Sequence, residues 1–257
     1  MDIGLRQLEL LHEFGGKGPT LHLAHANGFP PGTYRPLAET LTDRYRVLAL
    51  PQRPLWLGSH PKDAPTWNVL ADDLLRGLEA LDKTKIVGIG HSLGGVLTLR
   101  AAVRRPSLFA AVVLIDPVIL PPAWLRRIRQ QARHGMLERL PLARRALPRQ
   151  RTWPSRQASF AHFRRKAFFA RWSDDALSAY VEAGTRRQDD GQATLVYPPE
   201  WEAHIFATPP TAVWRDVSRL RTRTLVIRGE HSDTFTASTQ QRVARRLPQA
   251  RFLPSPD

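Results

Sequence analysis

The feature that most constrains this chain is Gly90-His91-Ser92-Leu93-Gly94, set between an apolar run over 85–90 and a helical pattern over 93–104. Glycines two residues to either side of the serine let a strand turn sharply into a helix without a clash. The hydroxyl is then left exposed above a sheet. A short, wholly apolar run reads as a strand buried on both faces, and such strands belong to parallel sheets covered by helices.

The rest of the sequence follows that rhythm. Short apolar runs predict strands over 8–14, 20–26, 46–50, 85–90, 110–115, 224–228 and 251–253. Helices are expected over 34–41, 67–81, 93–104 and 238–247, and Thr66 is placed to cap the second. Pro51, Pro54, Pro61 and Pro65 mark residues 51–65 as a loop. From 117 to 212 the chain turns rich in arginine, tryptophan and phenylalanine, with helical stretches and no convincing strand. The expected fold class is α/β: one domain over 1–257 with a mostly parallel sheet, helices on both faces and a helical insertion over 117–212.

Composition removes several alternatives. There is no cysteine, which excludes disulfides, thiolate metal sites and cysteine nucleophiles. No stretch reaches the ~20 apolar residues of a membrane span. The first residues lack the basic and apolar regions of a signal peptide, so a cytoplasmic protein is expected. The formal charge is +15; Lys17, Lys62, Lys83, Lys85 and Lys166 leave 33 of the 38 basic residues as arginine. Between Arg126 and Arg171 the single carboxylate is Glu138. With no nucleic-acid motif beside it, this charge reads as a solvated basic face, and no specific nucleic-acid partner is expected.

Three segments carry the chemistry. Ser92 is the candidate nucleophile, and the helix after it points free N–H groups at charge developing on a bound carbonyl. An acyl-transfer site needs two such donors. One is expected from the Leu93 N–H and the other from the loop His25-Ala26-Asn27-Gly28-Phe29-Pro30, at the Phe29 N–H. His25 and Asn27 read as structural loop residues. The third segment is Gly229-Glu230-His231-Ser232-Asp233, after a late strand. Asp233 is the first choice for the acid that orients a base, with Glu230 and then Asp116 behind it.

Together these segments resemble the α/β-hydrolase superfamily, and in particular its capped, esterase-like members. His25 to Pro30 is similar to the family's oxyanion loop, with Asn27 where a histidine usually stands. Gly90 to Gly95 matches its nucleophile elbow, and Gly229 to Asp233 its acid loop. The resemblance implies that 117–212 is a cap over the catalytic face, with Phe160, Phe163, Phe168, Phe169, Trp172 and Trp201 as pocket or cap-core residues. It implies hydrolysis of a small carboxylic ester, thioester or lactone through an acyl-enzyme on Ser92, with no cofactor and no metal. A carbon–carbon bond hydrolase or perhydrolase on the same site, and a catalytically silent binding protein, are the alternatives.

Two departures stand out. Leu50-Pro51-Gln52-Arg53-Pro54 replaces the family's usual Asp-x-Arg-Gly turn, keeping only Arg53. The family's base is a histidine in a Gly-His turn after the last strand, and no histidine follows Asp233 here. His231 is too near Asp233 to bridge it to Ser92, and His91 is expected to point away. The sequence thus reads as a fragment that stops before the base.

Overall fold

The structure, a computed structural model, describes residues 3–81, 85–134 and 140–255. Along the chain run α1 (Ile3–Glu9), β1 (His12–Gly15), β2 (Thr20–Ala24), α2 (Arg35–Glu39), β3 (Arg46–Ala49), α3 (Trp67–Leu81), β4 (Ile86–His91), α4 (Leu93–Arg104) and β5 (Phe109–Ile115). An inserted block follows with α5 (Pro122–Arg133), α6 (Pro141–Ala146), β6 (Thr152–Trp153), α7 (Arg156–Arg164), α8 (Asp174–Gly184), β7 (Thr185–Arg187), β8 (Ala193–Leu195) and α9 (Pro199–Ala207). The chain returns through α10 (Val213–Arg219), β9 (Thr224–Gly229), α11 (Ala237–Arg246) and β10 (Arg251–Ser255).

The main sheet has seven strands in the order β1-β3-β2-β4-β5-β9-β10. Only β1 runs antiparallel to its neighbour; the other pairs are parallel. This is the mostly parallel α/β sheet that the sequence pattern predicts, in the α/β-hydrolase fold that the resemblance implies. Alternation along the central strands divides the apolar residues between two faces. Ile86, Val112, Leu114 and Val226 meet Leu74, Leu97 and Val217 from α3, α4 and α10 in the largest core. Val87, Ile89, Val113 and Ile115 face the other way, toward Ala38 of α2. Val87, Val113 and Ile115 remain half-buried, because α2 is a single short helix.

Helix α3 covers the residues its spacing predicts, with Leu70, Leu74 and Leu78 buried at i, i+4, i+8. Helix α4 also keeps its predicted bounds and is buried along most of its length. Inside it, Arg100 pairs with Asp216 of α10 at 2.9 Å, so the buried guanidinium has a counter-charge.

Four expectations need correction. The strand over 8–14 is divided: α1 ends, the Leu11 N–H closes a turn on the Leu8 carbonyl, and β1 begins at His12. The loop over 51–65 contains two short 3₁₀ turns, Arg53–Leu55 and Pro61–Asp63. Residues 117–212 hold a three-stranded antiparallel sheet in the order β6-β8-β7 besides their helices. The strand expected over 251–253 runs on as β10 to Ser255, and Glu138, Pro256 and Asp257 lie outside the described residues.

Candidate active site

Ser92 sits at the end of β4 with φ 53° and ψ −112°, left-handed geometry that costs a non-glycine residue about 1–3 kcal/mol. The surrounding fold holds it there. Its N–H donates to the Ile115 carbonyl at 2.9 Å, and its carbonyl accepts from Val96 at 3.3 Å to open α4. A methyl group on Gly90 would fall well inside contact distance of the Gly94 carbonyl. One on Gly94 would strike the Ala24 carbonyl. The two glycines of the motif are therefore required by close backbone approach. Leu93 is the first residue of α4, where N–H groups have no acceptor within the helix.

A cavity of about 340 Å³ opens above Ser92. Its floor is Asn27, Ser92, Leu93, Asp233 and Thr234, all at the C-terminal edge of the sheet. Its walls come largely from the inserted block: Trp124 and Ile128 of α5, Leu142 and Arg145 of α6, Ile205 and Phe206 of α9. Most of this lining is apolar, as in pockets that hold small organic ligands. The six aromatic residues expected of the cap do not line it. Phe163 and Phe169 form a separate core of the inserted block with Phe160 and Trp172 against it, Phe168 is exposed, and Trp201 belongs to the main core.

The loop over 229–233 is anchored from below. Asp116, at φ 44°, accepts the Gly229 N–H on Oδ1 at 3.2 Å and the Ser232 hydroxyl on Oδ2 at 2.8 Å. Burial pushes its carboxyl above the usual range, against the pull of the Ser232 hydrogen bond. Ser232 in turn accepts the Phe235 N–H at 2.9 Å. This bracing leaves Asp233 on the cavity wall that Ser92 shares, while Glu230 is exposed and outside it.

The loop over 25–30 departs from expectation. The Phe29 N–H donates to the Ala26 carbonyl at 3.3 Å, and the Phe29 ring stacks on Trp172 at 5.9 Å. That donor is engaged within a turn, and Asn27 is the loop residue that reaches the cavity. Asn27 is held by the Tyr197 hydroxyl, which donates to its Oδ1 at 2.9 Å, and by its own Nδ2, which donates to the Glu202 carbonyl at 3.0 Å. Beneath lies a buried ion pair between Arg149 and Glu202, and Arg149 also donates to Tyr180 Oη at 2.7 Å. Burial raises the Glu202 pKa, opposed by Arg149. Sequence reading missed this network, because Arg149 and Glu202 are far apart in the chain and only the fold brings them together.

Three buried histidines hold backbone or phenol groups rather than substrate. His22 Nε2 accepts the Leu50 N–H at 3.1 Å, and His25 Nε2 accepts the Gln52 N–H at 3.0 Å. His91 Nδ1 meets Tyr34 Oη at 2.8 Å, behind the elbow. Burial lowers their pKa values to about 3, about 4 and about 4. Among the described residues lining the cavity none is a histidine. Arg53 clamps Asp73 of α3 with two bonds of 2.7 Å and so fixes the loop that departs from the family's turn. Among the described residues no helix is long and apolar enough to cross a membrane.

Residues 23–255 match the model of the Alpha/beta hydrolase family. A 116-residue stretch is 31% identical to 2-(acetamidomethylene)succinate hydrolase of Mesorhizobium japonicum, covering 45% of this chain and 41% of that protein. The chain thus spans about two fifths of the length of this curated relative in the match. The crystal structure of E-2-(acetamidomethylene)succinate hydrolase superimposes with a TM-score of 0.72 at 22% identity, covering 96% of this chain and 85% of the other. The thioesterase domain from the curacin biosynthetic pathway gives 0.74 at 14% identity, covering 96% and 88%. At these identities the two structures are alike in fold.

Proposed function

The chain belongs to the α/β hydrolase family, and from that premise we propose that it is a serine hydrolase of small carboxylic esters, thioesters or lactones. The observation that carries this reading is the placement of Ser92. Its strained elbow lies at the floor of an apolar cavity, beside the N-terminus of α4 and across from Asp233. The relative named 2-(acetamidomethylene)succinate hydrolase supports hydrolysis of a small acyl compound.

Ser92 Oγ attacks the carbonyl carbon, and its proton passes to a base and then to the departing alcohol or thiol. The acyl group, now esterified to Ser92, lies against the apolar walls. The Leu93 N–H receives the developing oxyanion. Asp233 orients the base, which the family resemblance assigns to a histidine. Strand β10 pairs Ser255 with Gly229, so it runs to the same sheet edge as the Asp233 loop. Water then hydrolyses the acyl-enzyme. Residues 117–212 act as the cap that excludes bulk water from this step.

A second reading is a binding protein that does not turn over, and the absence of histidine from the described cavity lining favours it. Hydrolysis of p-nitrophenyl butyrate and S-butyryl thioesters separates the two. The assay uses the 257-residue chain and, in parallel, a chain continued through whatever codons follow. Turnover that vanishes in Ser92→Ala supports the hydrolase. Ligand binding with no acyl-enzyme in either chain supports the binding protein.

A further inference from the structure

We propose that Arg145 forms an anion subsite in the cavity wall, which binds a carboxylate or phosphate carried by the substrate away from its reacting carbonyl. The proposal rests on the hydrolase reading for the position of the carbonyl but not for the existence of the subsite.

Among the described residues two charged ones line the cavity, Asp233 and Arg145. Asp233 comes from the sheet edge, with Ser92. Arg145 comes from α6 in the inserted block, and the two form no ion pair. Neighbouring arginines of the block are committed: Arg149 to Glu202, Arg151 to Glu200, Arg164 to Asp174. Among the described residues Arg145 has no such partner. Leu142, three residues earlier on the same helix face, also lines the cavity, and Trp124 stands on the α5 wall. Both are large apolar side chains left substantially exposed, at 45% and 55%. Arg145 is itself exposed, so it stands where an incoming anion can reach it from solvent.

The local charge acts in the same direction. Helices α5 and α6 carry Arg126, Arg127, Arg129, Arg133, Arg144 and Arg145 and no carboxylate. This gives the cavity wall a positive field that draws anions inward. The planar fork of arginine matches carboxylate and phosphate oxygens in pairs, which a neutral ester cannot satisfy. The ligand that fits is therefore bipolar in plan: an ester or thioester over Ser92, an apolar spacer, and an anionic oxygen group at Arg145.

The test compares ethyl hydrogen suberate with diethyl suberate, and octanoyl-coenzyme A with S-octanoyl-N-acetylcysteamine. The first pair differs by a carboxylate on the acyl side, the second by the phosphorylated pantoate and adenosine portions of coenzyme A on the leaving-group side. The measured quantity is the anionic-to-neutral ratio of kcat/KM. We expect a ratio of at least ~10 in one pair, which identifies the source of the anion. It should collapse toward unity in Arg145→Gln, survive largely in Arg145→Lys, and fall only slightly in Arg144→Gln, whose side chain is outside the cavity. Ratios near unity in both pairs, or ratios that Arg145→Gln leaves intact, overturn the subsite while turnover itself still supports the hydrolase. Calorimetric binding to Ser92→Ala covers the opposite case. If nothing is hydrolysed, tighter binding of an anionic compound that disappears with Arg145→Gln keeps the subsite and discards the hydrolase. Equal binding discards the subsite as well.

Discussion

Gly90 and Gly94 lie against each other across the elbow, with the Gly90 α-carbon so near the Gly94 carbonyl that no side chain fits between them. Helix α4 can leave the strand at this angle only while both positions lack a Cβ. Gly90→Ala and Gly94→Ala are each expected to destabilise the fold by about 3 kcal/mol, at the upper end of overpacking costs. Urea unfolding of the purified protein measures this. A loss below 1 kcal/mol in both variants would mean that the turn relaxes without them.

Arg53 and Asp73 form a buried pair, with side-chain exposures of 15% and 3%. Burial raises the Asp73 pKa, against the opposing pull of Arg53. Arg53→Met strands a carboxylate in the core and should cost about 3–5 kcal/mol. Removing both charges, in Arg53→Met with Asp73→Leu, should recover most of that loss. A double variant as unstable as the single one would show that packing of the Arg53 stem, and not the charge, holds the loop.

The buried histidines give stability a definite pH dependence. His22, His25 and His91 stay neutral in the folded state down to about 3, about 4 and about 4. In the unfolded chain each takes a proton near pH 6.5. The unfolded state therefore binds more protons below that value. Stability is intact above about pH 6.5 and falls as pH drops toward 4, by up to about 1.4 kcal/mol per pH unit for each histidine. The raised carboxylates Asp73, Asp116 and Glu202 act in the opposite sense. Comparison with His25→Gln isolates one histidine: the variant should lose less stability between pH 7 and pH 5. Equal slopes would show that His25 is not held neutral.

Tyr197 ties the inserted block to the loop over the sheet edge through its 2.9 Å hydrogen bond to Asn27. Tyr197→Phe leaves a buried acceptor without its donor and should cost about 1–3 kcal/mol. Because Asn27 shares the cavity floor with Ser92, acylation of Ser92 should slow as well. Unaltered acylation in a destabilised variant would confine Tyr197 to a structural role.

The elements that set the architecture were legible where pattern and length agree. Helix α3 follows its i, i+4, i+8 leucines, and α4 is delimited by the elbow and by Pro106. Strands β6, β7 and β8 escaped notice because two or three residues cannot display alternation. Ser92, Leu93 and Asp233 come together on the cavity floor as their motifs imply. Phe29 does not join them, because a turn bond to Ala26 depends on local backbone angles that residue types do not fix. Trp124, Ile128 and Arg145 gave no functional signal, since their place depends on how the inserted block docks.

Ser92 as a working nucleophile is tested most directly by treating the protein, both as the 257-residue chain and continued through whatever codons follow, with a fluorophosphonate and reading intact mass, followed by peptide mapping. The expected result is a single adduct on the peptide containing Ser92, lost in Ser92→Ala and in Gly94→Ala but retained in Ser232→Ala. An unmodified mass after prolonged exposure of folded protein, or an adduct on another residue, would contradict the assignment.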